Sequence, residues 1–482
     1  MNPVAQRENA RTLAAALGIA ETDATELLNV SVAITFSLND TLSAECANHI
    51  QRLLSRTIKG VALNPSDKSQ RFAAEVVIGE SAPRFKGRQV FVSIGTEKIL
   101  ISSHPISISH GNIHPIGLLL GACYAVGAAL RAALNNLLPF PSPEVLRVDL
   151  AEIFGEDLSL LYGPVFFDQA YLAGAGAIGN GFVCGLGAFD VAGQLHVTDD
   201  DTVTDGNLQR CVLFEAEHIG TPKANQLCKA VQLLLPKVAT IPHTVRLQDV
   251  PTRFAGPWLK RLIVGVDSPR ARRSLQTEIP QEVFDASTTG ISEIVLHFHR
   301  QPTNGACMSC IYHQSPQEDA HERHVADALG VSVADVMETR ISAATAERIW
   351  QRYPQLKPSA LVGIAYDTLF KQLCSTAQLT SAEDRQVLTP FAFISAFAGA
   401  LLAIEFVRRV HRGHDGLFNE WRVSPWSNPV MRRQRFLQKR ADCQFCGDRL
   451  LASLAKQMCA SSTSNRASEN MICKPEGLGN AV

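Results

Sequence analysis

The sequence predicts a doubly wound α/β fold, and three observations carry that expectation. Beyond residue 150, short β-branched runs alternate with helical segments, the pattern of a parallel sheet with crossover helices. A glycine-rich turn, Gly174–Gly179, joins one such run to a helix. Two apolar helices rich in Gly and Ala, near 117–130 and 390–410, read as buried packing elements. The 482 residues exceed a single average domain, and a 46% apolar content supplies a sizeable core.

Residues 1–40 read as helical with a break at Gly18, and Cys46–Arg56 has helical spacing. Phe72–Val77, Gln89–Ile94 and Ile99–Ser102 are rich in β-branched residues and read as strands. Gly117–Leu130 is the first small-residue helix, and three prolines within 137–147 mark a boundary. Strands follow at Gln169–Ala173, Leu195–Thr198, Thr244–Leu247, Leu262–Val266 and Ile294–Phe298, with helices after the glycine turn and at Asn225–Leu235. Residues 311–388 are polar and mostly helical, with His321 and His324 as surface residues. Pro390–Val410 is the second small-residue helix, and Ser461–Val482 reads as a disordered tail. Both halves begin with strand-rich sequence and close on a Gly/Ala-rich helix, so duplication and coincidence both remain open.

Charge and composition exclude some classes. Lys plus Arg is 45 and Asp plus Glu is 46, without the basic excess of a dedicated nucleic-acid binder. Pro115–Leu130 and Pro390–Ile404 fall short of the ~20 apolar residues that span a bilayer, so no membrane span is expected. The N-terminal segment carries Glu8 and lacks the long apolar core of a secretory signal, which points to the cytoplasm. The 12 Cys then read as thiols or metal ligands.

The chemistry begins at the glycine turn. Gly174 permits the tight turn, Gly176 lets phosphates approach the backbone, and Gly179 lets helix pack on strand. The helix start offers N–H groups and a positive dipole end to an anion. Asp199 lies 20 residues past Gly179, where an acid meeting ribose hydroxyls belongs. Asn207 and Arg210 follow, then Lys223; two cations suit a triphosphate better than a dinucleotide. Asp267 ends a strand, facing the ligand crevice, and suits Mg²⁺ or a helix N-cap. Cys307-x-x-Cys310 and Cys443-x-x-Cys446 supply four thiolates, the set of a closed tetrahedral Zn²⁺ site. Arg432, Arg433, Arg435, Lys439 and Arg440 read as a solvated face or a surface for an acidic partner.

In order and spacing, Gly174–Gly179, Asp199, Asp201-Thr202-Val203, Asn207-Leu208-Gln209-Arg210, Gly220-Thr221-Pro222-Lys223 and Asp267 with Arg272 resemble the ThiF-type adenylation family. That family includes the ubiquitin-activating enzymes and the sulfur-carrier adenylyltransferases. The resemblance covers roughly residues 150–310 and 385–450, with the second CxxC pair in the family's position. It implies ATP, Mg²⁺ and Zn²⁺, and Arg210, Lys223 and Asp267 as catalytic residues. It also implies adenylation of the C-terminal glycine of a ubiquitin-like protein, followed by a thioester and transfer to a conjugating enzyme. Cys374 occupies the place of the family's nucleophilic cysteine, before the helix at Pro390.

The implied architecture is an inactive adenylation domain over 1–150 and an active one over 151–310, returning over 389–455. A helical insertion, 311–388, carries Cys374, and a tail covers 456–482. The first segment lacks a glycine fingerprint, a ribose acid and a magnesium acid. Because the family pairs two adenylation folds around each site, a homodimer is also compatible. Two other readings stand beside this one: a sulfur-carrier adenylyltransferase and an NAD-dependent dehydrogenase.

Overall fold

The computed structural model describes residues 3–109, 111–141, 143–155, 157–250, 259–314, 316–338, 341–364, 366, 369–370, 373, 389–414 and 416–458. The chain divides into two compact units, Met1–Tyr312 with Thr389–Val482, and His313–Leu388.

The larger unit contains two sheets. The first has six strands: β1 (Ser31–Thr35), β2 (Gly60–Leu63), β3 (Ala74–Ile78), β4 (Arg88–Gly95), β5 (Lys98–Ser102) and β6 (Val145–Asp149). Its order is β2-β1-β3-β4-β5-β6, parallel through β4 and antiparallel beyond. The second has eight strands: β7 (Val165–Ala173), β8 (Val191–Thr198), β9 (Val238–His243), β10 (Arg261–Val264), β11 (Glu282–Thr289), β12 (Glu293–Arg300), β13 (Glu420–Val423) and β14 (Arg433–Arg435). Its order is β14-β13-β12-β11-β10-β7-β8-β9, parallel from β9 to β11 and antiparallel from β12.

The two sheets follow one path. Without the edge strands β9 and β14, the second reads β8-β7-β10-β11-β12-β13, matching β2-β1-β3-β4-β5-β6 strand for strand. The helix after the first strand is Thr41–Leu54 in one and Ala177–Leu186 in the other. The long helix before the last shared strand is Pro115–Ala133 in one and Ala392–Arg412 in the other.

These long helices share one continuous core with both sheets, where Tyr124 meets Phe397 edge-on at 4.8 Å. Small residues have a definite use here. A Cβ at Gly399 would lie 2.2 Å from Gly181 C, and one at Gly185 would lie 2.7 Å from Ala400 Cα. Helices Ala177–Leu186 and Ala392–Arg412 therefore touch backbone to backbone, as only glycine and alanine permit.

Several sequence expectations need correction. Ser31–Thr35 is a buried strand inside the stretch read as helical. A short apolar run has no periodicity that separates a buried strand from a helix. β6 begins within the proline-rich boundary, and β9 lies at 238–243 rather than 244–247. Pro242 lies within β9, which is a sheet edge, where a missing N–H is tolerated. β11 escaped because it is polar: buried Asp285 pairs with Arg272, and buried Glu282 pairs with Arg261 at 2.9 Å. Pro115–Ala133 is 19 residues, longer than expected and apolar enough to cross a membrane. Its apolar window is 94% buried within the protein, the setting of a core helix.

The smaller unit gathers helices Pro316–Leu329, Val333–Met337, Ala343–Arg352 and Pro358–Leu361 around Val325, Leu329, Ile349, Leu361 and Phe370. His321 and His324 are half-buried rather than surface residues, each ring meeting Phe370 edge-on.

Candidate active site

The site lies at the C-terminal ends of β7, β8 and β10. β7 ends at Ala173 and the chain turns at Gly174, whose φ of +97° favours glycine. A Cβ there would also lie 2.8 Å from Gly265 C. Gly179 packs against that turn, its hypothetical Cβ 2.3 Å from Gly174 O. Gly176 differs from both. Its φ is −75°, and the nearest atom to a Cβ would be Gly265 O at 4.0 Å. Neither backbone conformation nor packing demands glycine at 176, and the space where a Cβ would stand is open. Gly176 caps helix Ala177–Leu186 without a side-chain hydrogen bond, and a helix start of this kind can receive an anion.

Asn180 ties this turn to the next segment. Its amide donates to Ala175 O and Gly176 O, each at 2.9 Å, and its carbonyl accepts from Leu213 N at 3.0 Å. The sequence reading passed over Asn180, whose only signal was a polar residue in an otherwise apolar helix.

Asp199 follows β8. Its carboxylate accepts from Ala175 N at 2.7 Å and Asp201 N at 2.9 Å, fixing it against the glycine turn. Burial raises its pKa above the usual carboxylate range, opposed by the charge of Lys223. Buried Lys223 donates to Asp201 at 2.9 Å. Burial pulls its ammonium down, but Asp199 and Asp201 outweigh that and leave it raised.

Asn207 is buried and closes its own turn, accepting from Thr204 N at 3.0 Å. Arg210 is half-buried and donates to Gly206 O at 2.8 Å. Gln209 is buried and donates to Thr389 Oγ1 at 2.6 Å, next to the helix Ala392–Arg412. Thr12 of the N-terminal helix donates to Thr389 O at 2.7 Å, so both halves meet at this residue.

Asp267 is exposed beyond β10. The helix cap that follows it is Ser268, which accepts from Ala271 N at 3.0 Å, rather than Asp267. Arg272 is buried and bonded within the fold: it donates to Val266 O at 2.5 Å, to Ala286 O at 3.0 Å and to Asp285. It therefore holds the main chain beside Asp267.

The four zinc candidates meet in one cluster, with all their sulfurs within 4.8 Å of one another. Cys307 Sγ lies 3.7 Å from Cys310, 3.7 Å from Cys443 and 3.5 Å from Cys446. Zn–S bonds of about 2.3 Å at tetrahedral angles set sulfurs roughly 3.8 Å apart, so the cluster fits that ion. Cys443 Sγ accepts from Cys446 N at 3.4 Å, and Cys310 Sγ from Arg440 N at 3.5 Å. Such N–H donors favour thiolates. Cys374 lies outside the described residues.

Four of the five basic residues of the run make contacts within the protein. Arg433 pairs with Glu293 at 3.2 Å, Arg435 with Glu420 at 2.6 Å and Arg440 with Asp442 at 2.8 Å. Arg432 donates to Glu152 O and Ile153 O at 3.0 and 3.1 Å.

At the corresponding places of the first sheet, the chemistry differs. Asp40 caps Thr41–Leu54, accepting from Leu42 N and Ser43 N at 3.1 and 3.2 Å. Asn64 follows β2 as Asp199 follows β8, and accepts from Phe36 N at 3.1 Å.

Comparison with known proteins places two family models on the chain. The model of the ThiF family matches residues 166–445, and that of the E1 N-terminal domain matches residues 1–151. The protein y4jF of Sinorhizobium fredii is 24% identical over 393 residues, 77% of this chain and 74% of that protein. The Nedd8-activating enzyme E1 catalytic subunit of Drosophila melanogaster is 32% identical over 105 residues, 22% of this chain and 23% of that one. The SAMP-activating enzyme E1 of Haloferax volcanii is 28% identical over 161 residues, 32% of this chain and 57% of that one. The match thus spans less than two thirds of either activating enzyme. With more than half of its length matched over the stretch that holds the glycine turn, Asp199, Lys223 and Asp267, the chain belongs to the ThiF family.

Proposed function

We propose that this chain activates a ubiquitin-like protein, using ATP and Mg²⁺ to adenylate its C-terminal glycine. The acyl group then moves to Cys374 as a thioester and onward to a conjugating enzyme. The observation that carries this reading is the uncapped helix start behind Gly176, with Asp199, Lys223 and Asp267 around it. The activating-enzyme relatives support the choice of partner.

The residues divide the work. The N–H groups after Gly176 receive phosphate oxygens, and Asp199 receives the ribose hydroxyls. Arg210 and Lys223 offset the negative charge that shifts toward the leaving pyrophosphate. Asp267 holds Mg²⁺, which when bound neutralises phosphate charge. A glycine carboxylate oxygen attacks the α-phosphorus, the bond to the bridging oxygen breaks, and pyrophosphate leaves with that electron pair. The Cys374 thiolate, its proton lost to solvent, then attacks the acyl carbon. The acyl C–O bond breaks and AMP leaves.

Residues 1–150 act as a degenerate adenylation domain that pairs with the active one, 151–310 with 389–455, in a single chain. The shared strand order supports this, and Asp40 and Asn64 give its silence a chemical reason. A carboxylate that fills the helix start repels phosphate. Residues 311–388 form the helical insertion that presents Cys374. Cys307, Cys310, Cys443 and Cys446 hold one structural Zn²⁺.

Calorimetric titration tests the reading against a dehydrogenase. One ATP per chain in the presence of Mg²⁺, weakened in Lys223→Ala, is expected. Saturable NAD binding with none for ATP would contradict it.

A further inference from the structure

The segment Leu208–Glu215 forms no helix or strand; its own turns satisfy part of its main chain (Cys211 N to Asn207 O at 2.8 Å, Phe214 N to Cys211 O at 3.0 Å), and the remaining groups need partners from elsewhere. It is held from two sides. Asn180 takes Leu213 N from the glycine-turn side. Arg56, in the first half of the chain just beyond helix Thr41–Leu54, takes the carbonyls. Its guanidinium donates to Leu208 O, to Val212 O at 3.3 Å and to Phe214 O at 3.1 Å, and pairs with Glu215 at 2.6 Å. Arg52 adds a bond to Val212 O at 2.8 Å.

The carbonyl bonds are the substance of this contact. Glu215 is exposed, and an ion pair to an exposed partner contributes little. The Arg56 side chain is only 10% exposed, and a planar fork with several donors suits converging carbonyls in a way a lysine cannot. Leu208 and Val212 flank Arg210, two residues on either side.

We propose that Arg56 is a positioning residue for the nucleotide site. It fixes the main chain of Leu208–Glu215, and through that segment it places Arg210. ATP binding in the second half thus depends on a side chain of the first half that does not touch the ligand. This rests on the ATP reading above, and gives the first half a task besides packing.

The test uses the full chain in five forms: wild type, Arg56→Met, Arg56→Lys, Arg210→Ala, and Arg56→Met with Arg210→Ala. Amide exchange over Leu208–Glu215 is measured without nucleotide, and ATP·Mg²⁺ affinity by calorimetry. Arg56→Met should speed exchange in that segment and weaken ATP about tenfold, the scale of coupling through packed networks. The double variant should bind ATP no more weakly than Arg210→Ala alone, as for two residues acting in series. Should Arg56→Met fail to fold, Arg56→Lys takes its place, with the same direction in both readouts. Unchanged exchange, or losses that add fully in the double variant, would overturn the proposal while leaving ATP binding intact. A wild type that binds no ATP would overturn the nucleotide reading and this proposal with it.

Discussion

Asp40 and Gly176 hold equivalent places, each heading the first helix of its sheet, and they treat the helix start in opposite ways. The Asp40 carboxylate takes the N–H groups of Leu42 and Ser43 at 3.1 and 3.2 Å. Gly176 takes none. One helix start is filled with negative charge; the other carries no side-chain cap.

Gly176→Ala separates the ligand from the fold. Its φ is ordinary and a methyl group has room, so stability should stay within about 0.5 kcal/mol. ATP affinity should fall about tenfold or more, because the methyl stands where phosphates approach. Gly174→Ala should instead cost about 1–3 kcal/mol, given its φ of +97° and the close contact with Gly265. Urea unfolding and calorimetric titration measure both. Equal ATP affinity in Gly176→Ala would assign that glycine to something other than phosphate.

Asp40→Ala should lower stability by about 1 kcal/mol, the usual cost of a lost cap. The ATP stoichiometry should remain one per chain, because Asn64 still stands where the ribose acid would be. A second equivalent of bound ATP in titration would contradict the silence assigned to residues 1–150.

Much of this site was legible in the sequence because its chemistry is local. The glycine turn, Asp199 and the two CxxC pairs each declare themselves within a few residues, and the structure brings the four cysteines together. The partnerships were not legible. Nothing near Arg56 in sequence announces the carbonyls of Leu208, Val212 and Phe214, more than 150 residues away. Arg272 read as part of a ligand motif, yet its guanidinium meets Asp285, a buried acid that also hid β11. The small residues of Ala177–Leu186 and Ala392–Arg412 predicted burial, but not that Gly181 and Gly399 meet each other.

Zinc should be present at one per chain. Cys443→Ser should lose it and unfold at lower temperature, and a strong chelator should destabilise the wild type, since structural zinc contributes folding energy directly. Metal analysis of the purified chain with parallel thermal unfolding decides this. A metal-free protein whose melting is indifferent to chelator would contradict it.

Acid should destabilise the fold through buried histidines. Burial, and then the neighbouring His243, holds the His196 pKa down from 6.5 to about 4. The folded state then binds fewer protons than the unfolded one between these values. The His196 contribution is thus fully present above pH 6.5 and lost as pH falls toward 4. His297 and His299 are lowered by burial as well and act on the same acid limb. His196→Gln should flatten the fall in stability across this range by up to about one proton. Identical slopes for wild type and variant, read from urea midpoints, would contradict the assignment.

Adenylation itself is measured most directly by ATP–pyrophosphate exchange, using the full chain, Mg²⁺ and a ubiquitin-like protein ending in glycine. Exchange should occur, vanish in Asp267→Ala and persist in Cys374→Ala, which should lose only the adduct sensitive to reducing agent. Absence of exchange with every glycine-ending ubiquitin-like protein supplied, in a chain that reduces NAD, would contradict it.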